Sequence, residues 1–224
     1  MLPHPARKSQ ITKWCSRVLS HPLIFQIWRQ SPAPAGQRSA AKDSPLISDD
    51  AEIRRALTQL VGLKLAVARR GADMRVLHFG TMRPSPVSTL PSQRDRPRGS
   101  IGDFALHIQC PWRIETDDKI LTGRTDLWEP LEWPGGFSYD EWDYERDGNV
   151  QDLLMENFMA NNDCLLVVSV TVQSHCSFTI TFNGGHRLLV FPSGSTGEDW
   201  RFFRPDSDES HLVVSGGSIE RDDS

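Results

Sequence analysis

From Asp103 to Cys110 the chain alternates, with Asp103, Ala105, His107 and Gln109 on one side and Phe104, Leu106, Ile108 and Cys110 on the other. A period of two is what a strand with one buried face requires. Pro111 removes a ladder donor and ends or bends the strand, which puts Trp112, Arg113 and Ile114 at a sheet corner. Upstream, Ile53, Ala56, Leu57 and Leu60 recur at helical spacing, with Asp49 as N-cap, Glu52 as its capping-box partner and Gly62 as terminator. Strands over 63–69 and 74–79 follow, joined by a turn at Gly71-Ala72-Asp73. Residues 81–100 hold four prolines and read as a long loop. Thr116-Asp117-Asp118 turns the chain into a strand over 119–122, and 123–148 is loop-like, aromatic and acidic. Asn149 caps a helix whose Val150, Leu153, Leu154 and Phe158 share a face. Strands over 165–173, 177–182 and 187–191 come next, the last two joined by an Asn183-Gly184 hairpin signal. Residues 211–214 and 218–220 read as one more strand, broken by Gly216-Gly217.

Seven or eight short strands at hairpin spacing with two helices predict an α+β domain. Its sheet is mostly antiparallel, a sandwich or a flattened barrel. The strand–helix alternation of a Rossmann or flavodoxin sheet is absent, and Gly216-Gly217 does not sit between a strand and a helix start, so no phosphate loop is expected. No apolar run approaches the roughly 20 residues of a membrane span.

Charge divides the chain. Residues 1–48 carry seven Lys/Arg and one acid, Asp43, in a Pro-, Ser- and Gln-rich context, and are expected to be a disordered or non-native basic tail. Residues 49–224, the single folded domain, hold the remaining 18 basic and 28 acidic residues, a net of −10. That balance argues against a nucleic-acid surface and suits a basic partner. Cys15, Cys110, Cys164 and Cys176 show no C-x-x-C spacing and fit reduced thiols of a cytoplasmic protein better than a disulfide framework or zinc site.

Five pieces in order carry a resemblance: Leu77-His78-Phe79-Gly80, Ala105 to Ile114, Thr122-Gly123-Arg124-Thr125-Asp126, Leu188 to Pro192, and Trp200-Arg201-Phe202 with His211 to Val214. With them the chain resembles a family of uncharacterised bacterial proteins bearing an A-L-H-x-x-C-P-W-R-I motif. Similar small domains occur among immunity proteins of bacterial toxin systems. The resemblance spans residues 60–220, leaves the first 48 unmatched and implies no catalytic residue.

Candidate chemistry is sparse. His107 and Cys110 are three apart on a strand and point to opposite faces, so they do not share an ion, and no metal or cofactor site is expected. Arg113 beside Trp112 reads as an internal cation–π or carboxylate contact pinning the corner, with Asp126 as the candidate partner. Ser193-Gly194-Ser195-Thr196-Gly197 is half a nucleophile elbow, without the strand–helix junction the motif needs. The strongest functional feature runs from Glu129 to Glu145. Its Trp133, Tyr139, Asp140, Glu141, Trp142, Asp143, Tyr144 and Glu145 set aromatic anchors among carboxylates, a composition suited to a basic protein partner. The expected function is therefore a non-enzymatic protein-binding domain, in its sharper form an immunity protein that occludes a basic toxin. The competing reading is an enzyme acting on a small molecule or carbohydrate through His107, Arg113 and loop carboxylates.

Overall fold

The computed structural model describes residues 48–85, 99–132, 138–162 and 165–221. Helix α1 (Asp49–Leu57) begins one residue earlier than the capping-box spacing predicts: Ser48 is the N-cap and its hydroxyl accepts from Ala51 N at 3.4 Å. Asp49 thereby falls in the first turn with Asp50 and Glu52, where carboxylates meet the positive end of the helix. Ile53, Leu57 and, in the 3-10 turn that follows, Leu60 are fully buried. The chain leaves through Gly62 at φ +84°, a left-handed conformation that costs glycine little.

The strands, in chain order, are β1 (Leu65–Gly71), β2 (Met74–Phe79), β3 (Arg83–Pro84), β4 (Ser100–Ile101), β5 (Phe104–Ile108), β6 (Trp112–Glu115), β7 (Ile120–Gly123), β8 (Val167–Val172), β9 (Phe178–Phe182), β10 (Arg187–Val190), β11 (Glu198–Phe203), β12 (Leu212–Ser215) and β13 (Ser218–Ile219). A six-stranded sheet runs β1-β2-β5-β11-β12-β13, a five-stranded sheet runs β7-β6-β10-β9-β8, and β3 pairs with β4. The pairings are antiparallel throughout. The α+β, mostly antiparallel architecture read from the patterning is the one observed.

Alternation explains how the two sheets share a core. Leu77 and Phe79, Leu106 and Ile108, and Trp200 and Phe202 from the first sheet meet Trp112 and Ile114, Phe178 and Ile180, and Leu188 and Val190 from the second. Phe178 and Trp200 touch edge to face across the gap, centroids 5.1 Å apart. Helix α1 and helix α2 (Val150–Ala160) add Ile53, Leu57, Met155 and Phe158 to the same cluster. At one corner the sheets join directly, because Leu65 N donates to Leu165 O at 2.8 Å and Val167 N to Leu63 O at 2.9 Å.

The Pro111 corner is real and does more than end a strand. Gln109 N and Cys110 N both donate to Asp199 O, at 2.8 and 2.9 Å, while Phe191 N donates to Pro111 O at 3.1 Å. The chain thus leaves the six-stranded sheet at β5 and at once builds β6 in the other. Four expectations are corrected here. Trp112–Glu115 forms a strand of its own. Glu198–Phe203, which the patterning left unassigned, is β11, a central strand between β5 and β12. Gly216-Gly217 turns a β12–β13 hairpin instead of interrupting one strand. The buried face of α2 is Gln151, Met155 and Phe158, whereas Leu153 is 46% exposed.

Candidate functional site

The acidic-aromatic segment is organised around the start of α2. Asn149 is the N-cap, accepting from Asp152 N at 2.8 Å, and its amide returns hydrogen bonds to Asp152 Oδ2 at 2.8 Å and Tyr144 O at 3.0 Å. Asp152, now fixed in the first turn, receives Arg70 of β1 in a forked contact: Nε lies 3.1 and 2.9 Å from its two oxygens and Nη2 2.8 Å from Oδ2. Forked guanidinium–carboxylate pairs are the most geometrically specific ion pairs available to a protein. Burial pushes the Asp152 carboxyl up, but the hydrogen bonds from Arg70 and Asn149 outweigh it and hold the group below its usual range.

Arg70 also holds the loop. Its guanidinium carbon stands 5.1 Å from the Tyr144 ring centroid and Nη1 lies 3.7 Å from Glu145 Oε1. Tyr144 in turn meets Trp128 edge to face at 5.2 Å. The next turn is self-bonded. Asp143 Oδ1 accepts from Glu145 N at 2.8 Å and Arg146 N at 3.1 Å, and Asp143 N donates to Asp147 Oδ2 at 2.9 Å. Arg146 pairs with Asp147 at 2.6 Å, and its hydrogen bonds draw the Asp147 carboxyl down to about 2. Trp142 is half-buried and donates to Gly148 O at 3.2 Å.

These contacts split the candidate residues into two groups. Trp142, Asp143, Tyr144 and Glu145 are engaged in shaping the loop. Tyr139, Asp140 and Glu141 face solvent, Tyr139 being 54% exposed and edge-on to Trp142 at 6.1 Å. Neither Asp140 nor Glu141 forms an ion pair among the described residues. Two side chains outside the predicted set join this surface: Trp128, 48% exposed, and Leu131, 46% exposed, which packs over Gly148. Trp133 lies outside the described residues. Arg70, Asn149 and Asp152, which hold the loop, are absent from the predicted set. Asn149 is legible as a cap; the Arg70–Asp152 pair joins residues 82 apart and leaves no local trace.

The residues of the enzyme reading do not converge. His107 is on the outer face of the six-stranded sheet, edge-on to Phe203 at 4.9 Å, while Cys110 turns into the core. Arg113 is on the outer face of the five-stranded sheet and pairs with Glu115 at 2.6 Å, not with Asp126. Asp126 instead accepts from Thr122 Oγ1 at 3.1 Å and Gly123 N at 2.8 Å, capping its own 3-10 turn (Arg124–Trp128). The cation over Trp112 is Arg75, 5.3 Å from the ring centroid. A cleft of about 550 Å³ between α1 and the β12–β13 hairpin is lined by Glu52, Arg55, His211, Glu220 and Arg221, and includes neither His107, Arg113 nor the loop.

The remaining candidates have structural settings. His78 is 3% exposed, with Arg69 Nη2 2.9 Å from its Nε2 and Gly102 N 3.2 Å from its Nδ1. Cys110 and Cys176 are buried free thiols, pushed up to about 12 and about 11 by burial. Among the described residues no three His, Cys, Asp or Glu side chains gather as a metal site, and no helix is long and apolar enough to cross a membrane. No family model, no curated protein and no solved structure matches this chain.

Proposed function

We propose that the domain is a non-enzymatic, cytoplasmic protein-binding module whose acidic-aromatic loop engages a basic protein partner. The observation that carries this reading is the composition of one surface. Trp128 and Leu131 are exposed where they meet Tyr144 and Gly148, and Tyr139 is exposed next in the chain to Asp140 and Glu141, neither of which forms an ion pair among the described residues. Exposed aromatics supply contact energy at a protein interface, and unpaired carboxylates accelerate encounter with a cationic surface. The Arg70–Asp152 pair supports the same reading, since a loop held in shape before binding loses less entropy on complex formation.

The resemblance to immunity proteins of bacterial toxin systems gives the sharper form: the loop blocks a basic toxin by occlusion. The test is calorimetric titration of the purified chain with the basic protein encoded beside its gene, at low and high salt. Tyr139→Ala is expected to weaken binding by lowering contact area, and the Asp140→Asn/Glu141→Gln pair by slowing association, with the charge effect vanishing at high salt. Binding that neither substitution changes would overturn the assignment of this surface. Absence of any complex would overturn the immunity form.

A further inference from the structure

The charges beneath the loop do not balance where they are buried. Arg75 points inward from β2, on the same face as Leu77 and Phe79, and is 2% exposed. Its Nη2 donates to Gln151 Oε1, a neutral acceptor, and lies 3.4 Å from Asp152 Oδ1. Gln151 is fixed in that role because its amide nitrogen donates to Gly123 O at 2.9 Å and Arg124 O at 3.1 Å, which turns its oxygen to Arg75. Asp152 is also the carboxylate that Arg70 grips from outside at 2.8 to 3.1 Å. One carboxylate therefore serves two guanidiniums, and the buried one has the longer contact. A buried cation without a full counter-charge is strongly unfavourable.

Two donors at this place remain unpartnered. Arg75 Nε–H and Trp112 Nε1–H are both buried without a hydrogen-bond acceptor. They are neighbours, the guanidinium carbon lying 5.3 Å from the Trp112 ring centroid, and Trp112 is 2% exposed. Buried polar hydrogens in folded proteins nearly always have an acceptor. Two buried donors without an acceptor and a buried cation with a shared counter-charge thus belong to one contacting pair of side chains. The edge of an indole is also the positive part of its quadrupole, so it favours an anion as the guanidinium does.

We propose that the interior between β2, β6 and the start of α2 binds a compact monovalent anion of halide size, held by Arg75 Nε–H and the Trp112 indole N–H. The ligand class follows from the donors: two buried N–H groups and one cation exclude a cation and suit a small anion rather than an extended polyanion. The inference is independent of the loop's partner, because every residue in it lies beneath the surface assigned to binding.

The test uses the full chain and halides as probes. Crystals grown in sodium bromide, with data at the bromine edge, are expected to show an anomalous peak within hydrogen-bonding distance of both nitrogens. Density for water alone, or no peak, overturns the proposal. In solution the unfolding temperature, followed while chloride replaces gluconate at fixed ionic strength, is expected to rise with the logarithm of chloride once the site begins to fill. Trp112→Phe removes the indole N–H while keeping an aromatic ring; the smaller ring lowers the unfolding temperature at every chloride concentration, and the substitution is expected to abolish the rise. An equal chloride dependence in wild type and Trp112→Phe overturns the site even if crystals are not obtained.

Discussion

His78 should make the stability of this domain fall in mild acid, by an amount its surroundings set. The ring is 3% exposed and faces donors at both nitrogens, Arg69 Nη2 at 2.9 Å and Gly102 N at 3.2 Å. A neutral imidazole can accept from one of them and an imidazolium from neither. Burial, then the charge of Arg69, lowers the group from 6.5 to about 4. Between those values the unfolded chain binds a proton that the folded chain refuses, so stability rises with pH across the window and is lost as pH falls from 6.5 toward 4. At about 1.4 kcal/mol per pH unit, the full loss is about 3 kcal/mol, a large part of the roughly 5–15 kcal/mol that keeps a domain folded. Urea denaturation from pH 7.5 down to pH 4, compared between wild type and His78→Gln, measures it; the glutamine keeps an acceptor for Gly102 N and does not titrate. His107 and His211 are also lowered by burial and remain in both proteins, so the difference reports His78 together with its weaker coupling to His107. A wild-type minus variant difference that stays flat across the window refutes the argument. So does a His78 ring that titrates near 6.5 by NMR.

Other consequences are checked more briefly. Trp200 is fully buried, packs on Phe178 and donates to Cys176 O at 3.0 Å, so Trp200→Ala should cost about 3–5 kcal/mol in urea denaturation, and a cost under about 1 would contradict its place between the sheets. Gly102→Ala would set a methyl 2.5 Å from Phe79 O and 3.0 Å from Phe79 N, backbone atoms that cannot move independently, and should lower the unfolding temperature far more than Gly62→Ala, where only the φ of +84° opposes the change. Arg70→Met should speed amide hydrogen exchange at residues 139–147 while leaving β9 and β10 protected, because it releases Asp152, Glu145 and Tyr144 together. Cys110 and Cys176, with thiols near 12 and 11, should resist alkylation at pH 8 in the native protein; peptide mass spectrometry showing either modified as fast as a free thiol would place it at the surface.

How far the fold could be read in advance depended on whether a local pattern survived long enough to register. In β5 the alternation is uninterrupted, so its faces, the outward His107 and the inward Cys110 were legible. In β11 the inward Trp200 and Phe202 are separated by Arg201 and followed by Phe203, while Asp199 is buried to serve the Pro111 corner and the Gly217 turn. A buried acid and an outward phenylalanine in one six-residue strand mask its period. In α2 apolarity pointed to Leu153, yet the position is exposed and Gln151 is buried. The reason is polar: the interior at that end already contains Arg75, and only an amide can face a guanidinium on one side and two carbonyls on the other.

The candidate surface shows the same limit in sharper form. Composition alone picks out a run of carboxylates and aromatics, but treats Asp143 and Asp140 as equivalent. The structure separates them by what lies within reach. Asp143 is consumed by its own turn, and Glu145 and Tyr144 lie against Arg70, which is anchored to Asp152 and comes from a strand far back in the chain. Substituting any of these changes the loop's shape first and its charge second, so a loss of binding at Asp143 or Tyr144 would not identify a contact. Tyr139 meets Trp142 edge-on at 6.1 Å and Glu141 O accepts from Arg146 Nη2 at 2.7 Å, but the Asp140 and Glu141 carboxylates form no ion pair among the described residues. A binding loss at Asp140 or Glu141 that leaves hydrogen exchange of residues 142–147 unchanged therefore reports the interface itself. The same loss accompanied by faster exchange would return the acidic loop to the category of scaffold.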